Sequence, residues 1–353
     1  MKLKDIKLNQ LVKMLALIAA SSIVLLGLVV WIFDIPAYFR GEKGSYVLTD
    51  ENSVSVNVNK TYEMDGISSI EADLSFSDID VIVRDVDSVS FIYTGSVISK
   101  PEFEEPFLLF NMDGGKLSIR TTMKSGYRVA NSNLVLKISL PENKLKELNL
   151  ATTSGDITLL GNASENLLIS TSSGDAAVNG YGGDSLKTRT SSGHQDYINL
   201  NVAMLDLSSS SGDITMDDSV SEKTVIGTSS GEITIVNFTS DENRIKTTSG
   251  KVLIDDYSGN LDFSSSSGRL NGGFLFGGYE ILARTSSGDV TLTFPEDAGF
   301  QVRTETSSGD FNTDFPLTLE GDFSDDRVSG RIGDGSGLVN VHTSSGDISI
   351  KTR

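Results

Sequence analysis

One short turn, Ser-Ser-Gly-Asp or a near variant, recurs along the second half of this 353-residue chain. Its Gly falls at 155, 174, 193, 212, 231 and 250, five intervals of nineteen residues, and continues at 268, 288, 309, 330 and 346. A fixed period constrains architecture more than any single motif. Each unit is too small to bury its own apolar face and must stack on its neighbours.

Counting from the Gly shows what is stacked. Two positions after it stand Ile157, Ile214, Ile233, Val252, Val290 and Ile348; four after it stand Leu159, Val178, Met216, Ile235, Ile254 and Ile350. Seven and five before it stand pairs such as Leu148 and Leu150, Leu167 and Ile169, and Leu205 and Leu207. Polar residues fill the gaps, so each turn joins two strands with one face inward. Three before the Gly is a small hydroxyl residue wherever the motif is intact: Thr152, Thr171, Thr190, Ser209, Thr228, Thr247, Ser265, Thr285, Thr306 and Thr343. These are expected to form a ladder at a tight corner. The Gly is expected to supply a backbone conformation that other residues adopt only at a cost.

One matched residue per position per nineteen predicts an all-β fold, a right-handed single-stranded parallel β-helix with coils about 4.8 Å apart. Ten intervals would give a rod of roughly 50 Å at that spacing. The Leu/Asn signature of leucine-rich repeats is missing, and propeller blades need about twice the period. An antiparallel meander or barrel, with the turn closing hairpins, is the alternative. Residues 46–145 carry weaker versions of the pattern, as in "SFSDIDVIV" at 75–83 with Ser77 in the Gly position, interrupted by "SKPEFEEPFLLF" at 99–110. They are read as irregular first coils forming a cap, or else as a separate small β-domain. Residues 146–353 are the regular solenoid.

The N-terminus is of another kind. Residues 15–33, "LALIAASSIVLLGLVVWIF", run nineteen residues without a charge, the length a helix needs to cross a bilayer. Lys2, Lys4, Lys7 and Lys13 precede the span, and only Arg40 and Lys43 follow closely. The positive-inside bias predicts a cytoplasmic segment at 1–14, a transmembrane helix at 15–33, a linker at 34–45 and everything after it outside the membrane. Residues 44–353 hold 23 Lys and Arg against 45 Asp and Glu, a net charge of −22. Such a surface repels nucleic acid. The absence of Cys removes disulfides, thiolate metal sites, a Cys nucleophile and a lipoprotein anchor.

At 134–161, "LVLKISLPENKLKELNLATTSGDITLLG", a strand ending in Leu-Pro leads through a short spacer to a strand that enters Thr-Ser-Gly-Asp-Ile. This resembles the bacterial putative-adhesin β-strand-repeat family, a domain of unknown function that includes LiaG-like membrane-anchored envelope proteins. The resemblance covers about residues 65–353. It implies a parallel β-helix outside the membrane, with a role in adhesion or envelope stress, and it carries over no catalytic residue.

Two chemistries compete with plain structure. "VHTSSGDISI" at 341–350 offers His, Ser and Asp together, but repetition makes the Ser and Asp architectural, and alternation places His342 outward. The coil of His194 is unusual, with Thr188 and Gln195 at inward positions. The position after the Gly runs Asp156, Asp175, His194, Asp213, Glu232, Lys251, Arg269, Asp289, Asp310, Arg331, Asp347. It reads as a solvated column that steadies the turn, or as weak Ca²⁺ sites along Asp156–Asp175 and Asp289–Asp310. "LNGGFLFGG" at 270–278 is either core Phe at an irregular turn or a binding lip. The final strand, "GDISIKTR", reads as an exposed sheet edge that Lys351 and Arg353 guard as charged gatekeepers, or that docks a partner or a second copy. No cofactor is expected.

The reading that combines these features is a membrane-anchored, extracytoplasmic, non-enzymatic module that binds an envelope glycan or protein. A carbohydrate-active β-helix enzyme and a self-assembling scaffold resembling the bactofilins are the alternatives.

Overall fold

Residues 214–228 show how one coil is made. Ile214, Met216, Ser219, Ser221, Thr224, Ile226 and Thr228 point inward and are buried, while their neighbours face out. Each paired residue lies parallel to the one nineteen further on: Ile214 with Ile233, Ser219 with Phe238, Ile226 with Ile245. Pairing skips Asp218 and Glu222, which divides the coil into three short sides. Parallel pairing continues between successive coils from residue 145 to 294, with the register shifting by a residue or two after Ser240 and after Ile254. The antiparallel meander is thereby excluded. The computed structural model describes residues 47–50, 53–100, 108–121, 128–142, 144–320, 324 and 326–353. The apolar span at 15–33 and most of the 99–110 insertion lie outside them. None of the described residues forms a helix long and apolar enough to cross a membrane.

A second nineteen-residue file, which the hydrophobic pattern does not reveal, turns the first corner. Gly161, Gly180, Asn199, Asp218, Asn237 and Asp256, each six after a motif Gly, have φ of 96°, 71°, 56°, 48°, 47° and 52°. Gly, Asn and Asp are the residues that enter this left-handed region most cheaply. The side chains of the file also meet, Asn237 Nδ2 donating to Asp218 Oδ1.

Fully burying one large aliphatic side chain contributes about 1.5–3 kcal/mol. Four of the seven inward residues in the Gly212 coil are nevertheless Ser or Thr, so apolar burial alone holds that region thinly. Towards residue 300 the file that Ser219 occupies becomes aromatic. Phe238, Tyr257, Phe274, Phe294, Phe300 and Phe315 follow one another with centroids 4.6–6.0 Å apart. Phe274 of "LNGGFLFGG" is thus core, while Phe276 is 61% exposed.

At both ends the chain leaves its sequential order. Strands Ser69–Asp73 and Asp78–Arg84 lie between the Gly155 coil on one side and strands Lys116–Thr121 and Val135–Pro141 on the other, all parallel. Ser53–Glu63 then runs antiparallel to Ser88–Lys100, which is also antiparallel to Val135–Pro141. The region 46–145 therefore combines true coils with an antiparallel cap. Gly44–Arg353 is one compact unit, with a core continuous from Val54 to Ile350.

At the other end, strand Gly337–Thr343 lies between Glu280–Arg284 and Phe300–Thr306. Strand Ile348–Thr352 lies between Val290–Phe294 and Phe311–Thr313. Two expectations are corrected here. Gly330 is not a turn glycine but sits in strand Arg327–Ile332, antiparallel to Phe300–Thr306. The strand of "GDISIKTR" is paired on both sides, so the exposed edge read for self-association is not there. Near this end it is Phe311–Thr313, paired among the described residues along Ile348–Thr352 alone, that forms an edge.

Candidate functional site

The repeated turn gathers the polar residues of the sequence motif, and each has a structural task. The Gly is required by proximity and not by dihedral angle, which corrects the sequence-based reason, since none of the turn glycines has positive φ. A β-carbon on Gly174, Gly193, Gly212 or Gly231 would come closer than 3.0 Å to the carbonyl oxygen of the preceding coil's Gly, an overlap of backbone on backbone. Ser77 occupies the same position in the first coil of the file. It keeps its side chain because that chain turns inward, where Oγ lies 2.8 Å from the Tyr93 hydroxyl.

The hydroxyl three residues earlier closes the turn. Thr152, Thr171, Thr228, Thr247, Thr285 and Thr343 accept the N–H of their Gly at 2.8–3.2 Å. Several also donate to the coil below, as Thr152 does to Ser77 O at 3.1 Å and Thr306 to Gly346 O at 3.1 Å. A hydroxyl that both donates and accepts satisfies two backbone groups in a place closed to water. Thr190 differs. Its hydroxyl donates to Gly193 O at 3.1 Å and accepts from Gln195 Nε2 at 3.0 Å. Gln195 also donates to Ser208 O at 2.8 Å, and Tyr197 donates to Gln195 Oε1 at 2.9 Å. The unusual coil is thus a buried polar network, and burial pushes the Tyr197 phenol well above its ordinary range.

The acidic column forms a third ladder. Asp175 N–H donates to Asp156 Oδ1 at 2.8 Å, His194 N–H to Asp175 Oδ1 at 2.7 Å and Glu232 N–H to Asp213 Oδ1 at 2.7 Å. His194 keeps the ladder going, its Nδ1 accepting the Asp213 N–H at 3.3 Å. Charge-assisted bonds of this kind are stronger than neutral ones. The column is therefore a stacking device from Asp156 to Glu232 and again from Asp289 to Asp310, interrupted where Lys251 and Arg269 carry no acceptor. Of the residues read as Ca²⁺ ligands, Asp156 and Asp175 are neighbours, each with one oxygen engaged by a backbone N–H. Asp289 and Asp310 are not neighbours, which corrects that pairing. Asp347 stands between them, its N–H on Asp289 Oδ1 at 3.1 Å and its own Oδ1 taking the Asp310 N–H at 3.0 Å. Among the described residues no group of three or more His, Cys, Asp or Glu side chains is arranged to hold a metal. The column also continues backwards to Asp78, whose carboxylate accepts the Asp156 N–H at 3.0 Å. Burial raises the Asp78 pKa against that bond, and burial likewise raises Asp80 beside it.

His342 is exposed, with Nδ1 3.6 Å from Glu305 Oε2, and no Ser hydroxyl is bonded to it. A surface concavity of about 280 Å³, open to solvent, lies on the third side of the coils. Lys223, Glu242, Arg244 and Asp262 line it, with Val225 and Leu282 as its apolar part. Its charges are largely matched, Lys223 lying 3.4 Å from Glu242 and Arg244 3.3 Å from Asp262.

The solved structures to which this chain is similar share little sequence with it. A "putative cell adhesion protein" from Clostridium sporogenes is 15% identical, covering 85% of this chain and all of that one, with a TM-score of 0.22. A "putative lipid binding protein" from Parabacteroides distasonis is 17% identical over 85% of this chain and 97% of that one, TM-score 0.41. A "putative adhesin" from Parabacteroides merdae is 14% identical over 84% and 96%, TM-score 0.40. No curated protein matches. The family model is decisive: it matches twice, over residues 67–194 and 179–351, and the chain belongs to the Toastrack DUF4097 family.

Proposed function

We propose that this protein is a non-enzymatic binding module of the cell envelope, held at the membrane by residues 15–33 with its coils outside. The observation that carries the reading is the use made of the motif. Its Gly, Thr and Asp are consumed in joining coil to coil, which leaves the outward residues of the three sides free to vary and to contact a partner. The third-side concavity, with its matched charges and its Val225 and Leu282, suits a neutral polar partner such as an envelope glycan or a protein surface. Weak Ca²⁺ association with the exposed carboxylates of Asp156 and Asp175 belongs to the same proposal, as does assembly of copies through an exposed edge.

Two measurements test it. Cell fractionation with protease shaving should place the chain in the membrane fraction with its coils digestible from outside; a wholly soluble or protected chain contradicts the anchor. Full-length protein in nanodiscs should retain envelope glycan or an envelope protein, and Val225→Asp should reduce that retention. Turnover of a glycan, with loss of retention only after cleavage, would favour the carbohydrate-active alternative.

A further inference from the structure

The coil of residues 337–353 is out of order. It follows the 300–313 coil in the chain, yet in space it separates that coil from the Gly288 coil. By strand pairing, the segment 300–332 joins the rest of the stack through this inserted coil, since Arg327–Ile332 and Thr318–Leu319 pair only within the segment or with each other.

Three observations bear on how that arrangement arises. First, the pentapeptide Thr-Ser-Ser-Gly-Asp is identical at 285–289, 306–310 and 343–347. The ladders of Gly, Thr and Asp are therefore written in the same letters whether 309 or 346 stacks on 288. Second, the interval from Gly288 to Gly309 is 21 residues, two more than the regular nineteen. Two residues span up to about 7 Å when extended, enough to skip one level of about 4.8 Å. Third, the inserted coil is tethered at both ends. Arg353 pairs with Asp255 and Asp256, its Nη1 2.6 Å from Asp256 Oδ1, and its N–H donates to Phe294 O at 2.9 Å. At the other end Gly333 and Gly335 turn the link with φ of 57° and 73°, and Gly337 N–H donates to Gly299 O at 3.1 Å.

We infer that this end of the solenoid has two stacking orders: the 300–313 coil first stacks directly on the Gly288 coil, and residues 337–353 then insert between them and are locked by Arg353. The first order is the sequential one, available as soon as residue 313 exists. The second adds one more coil-to-coil interface and so prevails once the inserted coil arrives. Release of the Arg353 tether shifts the balance back and frees residues 337–353 as an unpaired strand.

The absence of Cys makes the test unambiguous. Thr291, Ser349 and Asn312 occupy one file on three adjacent strands, in that spatial order. Adjacent parallel strands fall within disulfide reach, whereas strands two levels apart, roughly 9.6 Å, do not. In the full chain under mild oxidation, Thr291→Cys with Ser349→Cys and Ser349→Cys with Asn312→Cys should each form a bond. Thr291→Cys with Asn312→Cys should not. During refolding from denaturant, an oxidation pulse should trap the 291–312 bond early and lose it at longer delays. Adding Arg353→Ala should raise the steady-state yield of that bond several-fold, about tenfold for a bias of 1.4 kcal/mol. Gly346→Val, which drives a side chain into Gly288 O, should raise it further. A 291–312 bond absent both from the early pulse and from the Arg353→Ala chain overturns the inference, whether or not the Gly346→Val chain folds.

Discussion

The middle of the molecule and its ends are built from the same coil but closed differently. Between residues 157 and 268 every turn has another glycine turn above and below it, and Gly is the residue the stack admits. At the first level of the file, Ser77 faces a coil with no such turn: Asp78 N–H donates to Leu134 O, and the Ser side chain is welcome. At the far end the order of coils is rearranged so that the edge of the stack is met by Arg327–Ile332 running antiparallel. The repeat therefore dictates Gly wherever its turn meets the carbonyl of a neighbouring coil, which Gly309 at the far end still does and Ser77 does not. At both ends antiparallel strands blunt the open edge, as exposed edges require.

The largest break of that comparison is at the Gly. Gly231→Ser puts a β-carbon on the Gly212 carbonyl, and a backbone-on-backbone overlap in a packed stack should cost more than about 4 kcal/mol. Ser77→Gly at the equivalent end position removes only the hydroxyl contact with Tyr93, about 1 kcal/mol. Denaturant midpoints of the two variants should differ widely; equal losses would mean that position in the stack is irrelevant. Next is the hydroxyl. Thr247→Val is isosteric but strands the Gly250 N–H in a buried corner, for a loss of about 1–3 kcal/mol, and Thr247→Ser should restore most of it.

The parallel solenoid was legible because its signal is redundant. Apolar residues recurring two and four after most of the motif glycines cannot arise from one local preference. The reason for those glycines was not legible, because a close approach between residues nineteen apart leaves the same mark in sequence as a positive φ. The corner file at Asn199, Asp218, Asn237 and Asp256 was visible as Asn or Asp six after four successive glycines, a signal that the hydrophobic count passed over. Gly330 misled for a simple reason: Ser-Gly with a following Arg matches a turn by letters, and nothing local says that its strand returns antiparallel. The acidic column was found in sequence, but its function depends on which coil lies above which. That order changes at Asp347, which no spacing rule predicts.

The acidic ladder supplies the finer tests. Asp213→Ala should cost about 1 kcal/mol, since its carboxylate accepts the Glu232 N–H at an exposed corner that water can partly serve. Asp310→Ala should cost less, because Asp310 ends the file and among the described residues none of a further coil donates an N–H to it. The smallest effect has the opposite sign. Asp80 sits half-buried on the first coil, where burial raises its pKa most, Lys137 opposes the rise, and Asp78 and Asp156 add to it. A carboxyl with a raised folded pKa binds its proton more tightly folded than unfolded. Folding is therefore favoured below the ordinary Asp range, and that advantage is lost as pH rises through the folded value. At neutral pH Asp80 is a small liability, and Asp80→Asn should raise the melting midpoint slightly, by about 0.5 kcal/mol or less. The gain should shrink as pH falls through the carboxylate range. An Asp80→Asn chain that is less stable at pH 7, or equally altered at pH 3 and pH 7, would show that Asp80 helps the cap through its Lys137 attraction more than burial costs it.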